Sequence, residues 1–189
     1  MKCYICLTDS IVNRKDYFNM LKVTLISARK NTSLRLICLY DGKIGDPVYN
    51  LLKDFKVEII IHELPYKKEL MEIYSHEWME TELGKDIEYS RIFGTFMRME
   101  IPIIEKEDEY VLYTDMDIIF NDDILLKDLP HPAYLAAAPE FERDTKRMSY
   151  FNAGILVMNI QGMRIKYQQF VEMMKKGKDL LQDFLIKGT

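Results

Sequence analysis

The chain has 189 residues, of which 48% are hydrophobic and 30% charged, with a formal net charge of −4. That length fits one domain able to bury roughly 70% of the surface of its unfolded chain. The acidic balance argues against a nucleic-acid partner, which calls for a basic surface.

In chain order, the stretch C-Y-I-C-L-T (Cys3 to Thr8) reads as a buried strand ending at Asp9. No signal-peptide pattern precedes it and no apolar run approaches membrane-spanning length, so the expected compartment is a reducing cytoplasm. The cysteines, Cys3, Cys6 and Cys38, are too few for a disulfide framework. The C-x-x-C they begin lies inside the strand, where core packing is expected rather than zinc or redox work. Residues 16–30 place Phe18, Leu21, Leu25 and Ala28 at helical spacing and close on Arg29 and Lys30, which suit a helix C-terminus. Leu34 to Tyr40 is a second strand closed by the turn signal Asp41-Gly42, Pro47 opens a short helix, and Val57 to His62 is a third strand. This β-α-β-α-β run predicts a parallel, doubly wound sheet.

Residues 64–89 read as polar and irregular, with a helix around Glu69 to Glu80. A helix is expected over 90–104, stopping near Pro102, followed by the strand Tyr110 to Asp117. An acid-rich turn comes next, in which Asp123 is a candidate helix cap. A strand over Tyr134 to Ala138, a charged loop from Glu140 to Met148, a strand over 151–159 and helical segments over 162–187 complete the chain. With no internal repeat or linker, residues 1–189 are expected to form one domain.

The chemistry concentrates in Y-V-L-Y-T-D-M-D, an apolar strand that ends on Asp115 and Asp117. Open α/β sheets place their ligands where a buried strand emerges. Two carboxylates so close repel each other unless a cation lies between them, and neutralising both by burial is costly. A hard divalent ion such as Mg²⁺ or Mn²⁺ suits oxygen ligands and keeps positions free for phosphates. A short D-x-D also occurs as plain loop solvation, so further motifs decide its weight.

Three further stretches supply that weight: G-T-F-M-R-M-E-I-P (94–102), S-Y-F-N-A-G-I-L-V-M-N-I (149–160) and L-Q-D-F-L-I (181–186). Taken in order with the D-x-D strand, they resemble glycosyltransferase family 8, the retaining enzymes of the glycogenin and bacterial lipopolysaccharide galactosyl- and glucosyltransferase type. The resemblance runs over nearly the whole chain. It implies an α/β fold of GT-A (Rossmann-like) type, a single domain with a mostly parallel central sheet flanked by helices. It also implies a UDP-glucose or UDP-galactose donor, Mn²⁺ (or Mg²⁺) as cofactor, a glycan acceptor, and hexose transfer with retention of anomeric configuration. Membrane association is left open.

Residue by residue, the resemblance makes Asp115 and Asp117 the metal ligands that offset charge on the departing UDP. Asp115 would also face the ribose, and the flanking Thr114 and Met116 fall among the donor-binding positions. Arg98 is assigned to phosphate or sugar oxygens, for which a guanidinium is suited; its position alone equally allows a surface salt bridge to nearby glutamates. Thr8 and Asp9 stand where the family touches the nucleoside. Tyr17 is the nearest candidate for the aromatic that stacks on uracil, although a packed helix-start tyrosine fits the same position. Asn152, Ala153 and Gly154 match the motif that meets the donor sugar, with Gly154 permitting close backbone approach; an ordinary turn into a strand would read the same way.

Gln182 and Asp183 match the last motif, where the family places a glutamine beneath the anomeric carbon. A glutamine is a poor nucleophile, so Gln182 is expected to give electrostatic support only, and Asn152 and Asp183 complete the catalytic set. Leu181 and Ile186 depart from the family's aspartate and asparagine. The family also carries a histidine metal ligand in a later segment, and none of His62, His76 or His131 stands in the matching place. The expectation is therefore a shortened chain or a fragment, or a metal shell completed by water or another group. Two rival classes remain: a non-catalytic relative that binds UDP-sugar or glycan, and, more remotely, a haloacid-dehalogenase-type phosphatase, whose D-x-D opening D-M-D-I-I-F also fits. In that second class the motif normally opens the chain's first strand, whereas here it follows about a hundred residues.

Overall fold

The structure is a computed structural model that describes residues 1–74, 89–141 and 148–176. Among the described residues, six strands form one sheet: β1 (Lys2–Thr8), β2 (Arg35–Asp41), β3 (Glu58–Ile61), β4 (Tyr110–Thr114), β5 (Leu135–Phe141) and β6 (Met148–Asn159). Their spatial order is β3-β2-β1-β4-β6-β5. β1 pairs in parallel with β2 and β4, and β2 with β3. β6 alone runs the other way, antiparallel to both β4 and β5. The sheet is thus mostly parallel, as expected, and acquires its antiparallel part after the D-x-D strand. From β1 the chain moves outward to β2 on one side and later returns to β4 on the other. That reversal opens a crevice beyond the carboxyl ends of β1 and β4.

Strand alternation explains the two cores. Tyr4, Ile37, Leu39, Val111 and Tyr113 point to one face, where Leu70, Ile92, Met97 and Met163 cover them. Cys3, Ile5, Leu36, Cys38 and Leu112 point to the other, beneath Leu21, Leu25, Leu52 and Phe120. The central strands are apolar on both faces because helices lie on both. The second face is covered by α1 (Lys15–Asn31) and α2 (Pro47–Asp54). α2 starts where Asp46 accepts a hydrogen bond from the Tyr49 N–H at 2.8 Å, with Pro47 at the first position. The first face is covered by α3 (Lys67–Ile73), α4 (Tyr89–Met97), α5 (Ile101–Ile104) and α6 (Ile160–Lys176).

Several boundaries differ from the sequence expectations. The single helix expected over 90–104 is α4 and α5 joined by a tighter 3₁₀ turn at Arg98–Glu100. Pro102 therefore sits at the start of a new helical turn, where its missing N–H leaves nothing unpaired, and the path continues to Ile104. β5 extends beyond Ala138 through Pro139 to Phe141, which an edge strand tolerates. Asp123 caps no helix. Its carboxylate accepts from the Ser33 N–H at 2.8 Å and from the Ser33 hydroxyl, tying the turn after α1 to the segment after β4. α3 ends at Ile73, and the rest of the helix expected to Glu80 lies outside the described residues, as do residues 142–147 of the charged loop and the final helical stretch beyond Lys176.

Two polar anchors fix the elements around β4. Glu105, only 2% exposed, accepts from Lys2 Nζ at 2.9 Å, from the Tyr4 hydroxyl at 2.6 Å and from the N–H groups of Glu107 and Asp108. Asn159 ends β6 and caps α6 through the Gly162 N–H at 2.8 Å, while its amide reaches the Pro132 carbonyl at 3.1 Å. This cap is why α6 starts at Ile160, two residues before the expected point. A Cβ at Gly162 would lie 1.9 Å from the Ala133 carbonyl oxygen, so only glycine lets the backbones meet here. Gly162→Ala is expected to lower unfolding free energy by ~2–3 kcal/mol in urea titration, since backbone must shift. An unchanged midpoint would refute this close packing.

Candidate active site

A cleft of about 420 Å³ opens at the carboxyl ends of β1 and β4. Its floor comes from Cys6 and Thr8 of β1 and from Tyr113 and Asp115 at the end of β4. One wall is the 3₁₀ turn Asp9–Asn13 and the start of α1, contributing Ser10, Arg14 and Tyr17. The opposite wall is α4 and the turn after it, contributing Gly94, Thr95 and Arg98. Met116 and Asp117 complete the rim. Of the residues expected from sequence, Thr8, Tyr17, Arg98, Asp115, Met116 and Asp117 are brought together on this one surface.

Three contacts hold the D-x-D segment in place. The Asp115 N–H donates to the Gly154 carbonyl at 2.8 Å, extending the β4–β6 ladder by one bond. The buried Thr24 hydroxyl of α1 donates to the Met116 carbonyl at 2.6 Å. The Tyr113 hydroxyl donates to Asp115 Oδ1 at 2.5 Å. Burial, first of all, pushes the Tyr113 phenol well above its ordinary value. The Cys6 thiol is likewise pushed up by burial, which disfavours a thiolate nucleophile in the cleft floor.

Arg98 lies against the same group. Its guanidinium donates to the carbonyls of Thr95, at 2.7 Å, and Ala153, stacks 4.7 Å from the Tyr113 ring centroid, and comes within 3.8 Å of Asp115 Oδ1. The carboxylate facing it is therefore Asp115 and not one of the neighbouring glutamates. Asn152, Ala153 and Gly154 do not line the cleft but support it from β6. Asn152 Oδ1 accepts from the Gly154 N–H at 2.8 Å, and a Cβ on Gly154 would sit 3.0 Å from that oxygen and 3.3 Å from Asp115 Oδ2. This crowding gives a physical reason for glycine in the N-A-G motif.

Other expected residues stand apart. Thr114 alternates onto the opposite sheet face, 1% exposed, with its hydroxyl 3.8 Å from Cys3 Sγ. Asp9 is exposed at the start of the 3₁₀ turn, beside the cleft lining rather than in it. Gln182 and Asp183 lie outside the described residues. His62 packs 3.3 Å from Glu100, and His131 stacks on Tyr110, both away from the aspartates.

Sequence reasoning passed over Ser10, Arg14 and Tyr113. Ser10 shares a 2.8 Å hydrogen bond with Thr8. The Arg14 guanidinium covers the Tyr17 ring at 4.2 Å. The three-residue spacing of Arg14 and Tyr17 at a helix start was the available signal. For Tyr113 it was the two-residue spacing from Asp115, which places both on one side of a strand. The 3₁₀ turn Asp9–Asn13 links β1 to α1, and Tyr17 near the start of α1 lines the cleft.

The donor set fits a hard divalent cation. Asp115 and Asp117 offer oxygens only, one of the Asp115 oxygens is free of the Tyr113 bond, and Asp117 is exposed at the rim. Among the described residues, no group of three or more His, Cys, Asp or Glu side chains converges as a ready-made metal cage. Among the described residues, no helix is long and apolar enough to cross a membrane.

With this geometry in view, comparison with solved structures defines the fold as that of GT-A glycosyltransferases. Mouse xyloside xylosyltransferase 1 superposes with a TM-score of 0.58 at 12% identity, over 92% of this chain and 72% of that one. The galactosyltransferase LgtC, in complex with donor and acceptor sugar analogues, gives 0.60 at 18% identity, over 100% of this chain and 72% of its own. The glycosyltransferase GlyE from Streptococcus pneumoniae gives 0.57 at 21% identity, over 98% of this chain but 43% of its own. No protein-family model matches the sequence, and no curated protein matches it. At these identities the likeness establishes the fold. Among the described residues the D-x-D follows the fourth strand rather than the first.

Proposed function

We propose that this chain is a metal-dependent glycosyltransferase that moves a hexose from a UDP-sugar to a glycan acceptor with retention of anomeric configuration. The observation that carries it is the single cleft, on a GT-A fold, that gathers Asp115, Asp117 and Arg98 at the carboxyl ends of β1 and β4. Asp115 and Asp117 would hold Mn²⁺ or Mg²⁺, which when bound supplies charge to stabilise the departing diphosphate. Tyr17, with the Arg14 guanidinium over its ring, would offer a flat surface for the uracil at the mouth. Thr8 from the floor and Ser10 from the adjoining wall offer hydroxyls to the nucleoside, and Asp9 lies beside them. Arg98 orients donor oxygens from the α4 side, and Asn152, Ala153 and Gly154 shape the sugar end. Gln182 and Asp183 are assigned to the reacting sugar, Gln182 as an electrostatic support. Burial of the free thiols Cys3 and Cys38, with Cys6 partly buried, fits a reducing compartment such as the cytoplasm.

Calorimetric titration with UDP-glucose and UDP-galactose, in Mn²⁺ and in EDTA, followed by assay of released UDP, tests the proposal. Mn²⁺-dependent binding with UDP release is the expected result. Binding without release would favour the non-catalytic relative, and no binding in either condition would overturn the donor assignment.

A further inference from the structure

Tyr113 and Asp115 are two residues apart at the end of β4, so strand alternation sets both side chains on the same face. Tyr113 is 2% exposed, and its hydroxyl proton goes to Asp115 Oδ1. The other side of this arrangement is Arg98. Its guanidinium covers the Tyr113 ring at 4.7 Å, lies 3.8 Å from the same carboxylate oxygen, and is tied to the Ala153 and Thr95 carbonyls. The Asp115 backbone is held separately by the Gly154 carbonyl. The backbone and one carboxylate oxygen of Asp115 are thus both fixed before any ligand arrives, and Oδ2 is the oxygen left over, on the side of Gly154.

Resting on the metal-dependent reading above, we propose that Tyr113 is a positioning residue. By occupying Asp115 Oδ1 it orients the carboxylate so that Oδ2 alone is presented to the cation, as a single-oxygen ligand. Six-coordinate Mg²⁺ and Mn²⁺ leave little room for a chelating carboxylate when phosphate and water must also bind. A hydrogen bond that removes one oxygen from competition therefore favours the geometry these ions take. Partners of metal-ligating carboxylates contribute to affinity in this way, and their loss typically weakens metal binding about 10- to 100-fold.

The test uses the full chain, with free Mn²⁺ followed by electron paramagnetic resonance during titration in saturating UDP. Tyr113→Phe keeps the ring and its Arg98 stack and removes only the hydroxyl, so the apparent Mn²⁺ dissociation constant is expected to rise about 10- to 100-fold. Tyr4→Phe is the control, since it also removes a buried hydroxyl bonded to a carboxylate, that of Glu105, away from the cleft. It is expected to lower stability and leave Mn²⁺ affinity unchanged. Equal Mn²⁺ affinity in Tyr113→Phe and the parent overturns the inference while leaving the metal site standing. Equal losses of affinity in Tyr113→Phe and Tyr4→Phe also overturn it, by showing a general structural effect. A parent chain that binds no Mn²⁺ with UDP overturns both this inference and the function it rests on.

Discussion

Asp117→Ala is expected to abolish Mn²⁺-dependent UDP binding, with a loss of at least about 100-fold in affinity, equivalent to ~2.7 kcal/mol. Asp117 is exposed at the cleft rim, and among the described residues its side chain appears in no hydrogen bond or ion pair. Its removal takes a charge from a segment that already carries Asp115, which relieves repulsion in the unliganded protein. The unfolding free energy should therefore stay within ~0.5 kcal/mol of the parent, the usual range for a surface change. Few substitutions are expected to separate binding from stability so cleanly. Calorimetry with UDP in Mn²⁺, paired with a melting curve, checks both halves. Unchanged UDP affinity would remove the metal-site assignment, and a large drop in stability would show that Asp117 has a structural partner.

Glu105→Gln is expected to do the opposite, destabilising the fold by ~3 kcal/mol, because breaking a buried ion pair strands its partner. Lys2 Nζ, 8% exposed, would keep only Glu107, which is itself largely in solvent. Burial by itself would raise the Glu105 carboxyl. Hydrogen bonds from the Tyr4 hydroxyl, the Glu107 N–H and Lys2 outweigh it and hold the pKa at about 2, below the ordinary value of 4.5. A folded-state value below the unfolded one means that the charged form stabilises the fold. Its contribution is complete above about pH 4.5 and is lost as pH falls toward about 2. Urea titrations should show the parent and Glu105→Gln furthest apart near pH 7 and converging below pH 4.5. A gap independent of pH would show that packing, not charge, sets the cost.

The sheet was legible because its signals are local. Apolar runs such as Leu36–Tyr40 and Val111–Thr114 end on aspartates, and each strand of the first three is followed by a helical period or a turn signal. The D-x-D and N-A-G motifs pointed to the same place, and the backbone bond from Asp115 to Gly154 joins them. Harder to read were contacts between elements far apart in sequence. Arg98 meets Ala153 and Tyr113, Asp123 meets Ser33, and Glu105 meets Lys2. Nothing in the local pattern around any of these residues names its partner, because the sheet order that brings them together is a property of the whole chain. Thr114 misled for a simpler reason. Neighbours of a functional strand residue alternate to the far face, so adjacency to Asp115 placed its side chain away from the cleft.

The pairing of β5 with β6 steps from Ala137↔Leu156 to Ala138↔Asn152, so residues 153 to 155 have no counterpart on β5. Among the described residues, β6 inward of that step pairs with both β4 and β5, and outward of it with β5 alone. A two-stranded ribbon has little stability of its own. The outer arm therefore opens at lower free energy than the sheet it grows from, and its amides should exchange with solvent first. The carbonyls of Ala153 and Gly154 fall within that step, free of β5, and are turned instead to Arg98 and to the Asp115 N–H, so the break in one ladder supplies the bonds that hold the cleft.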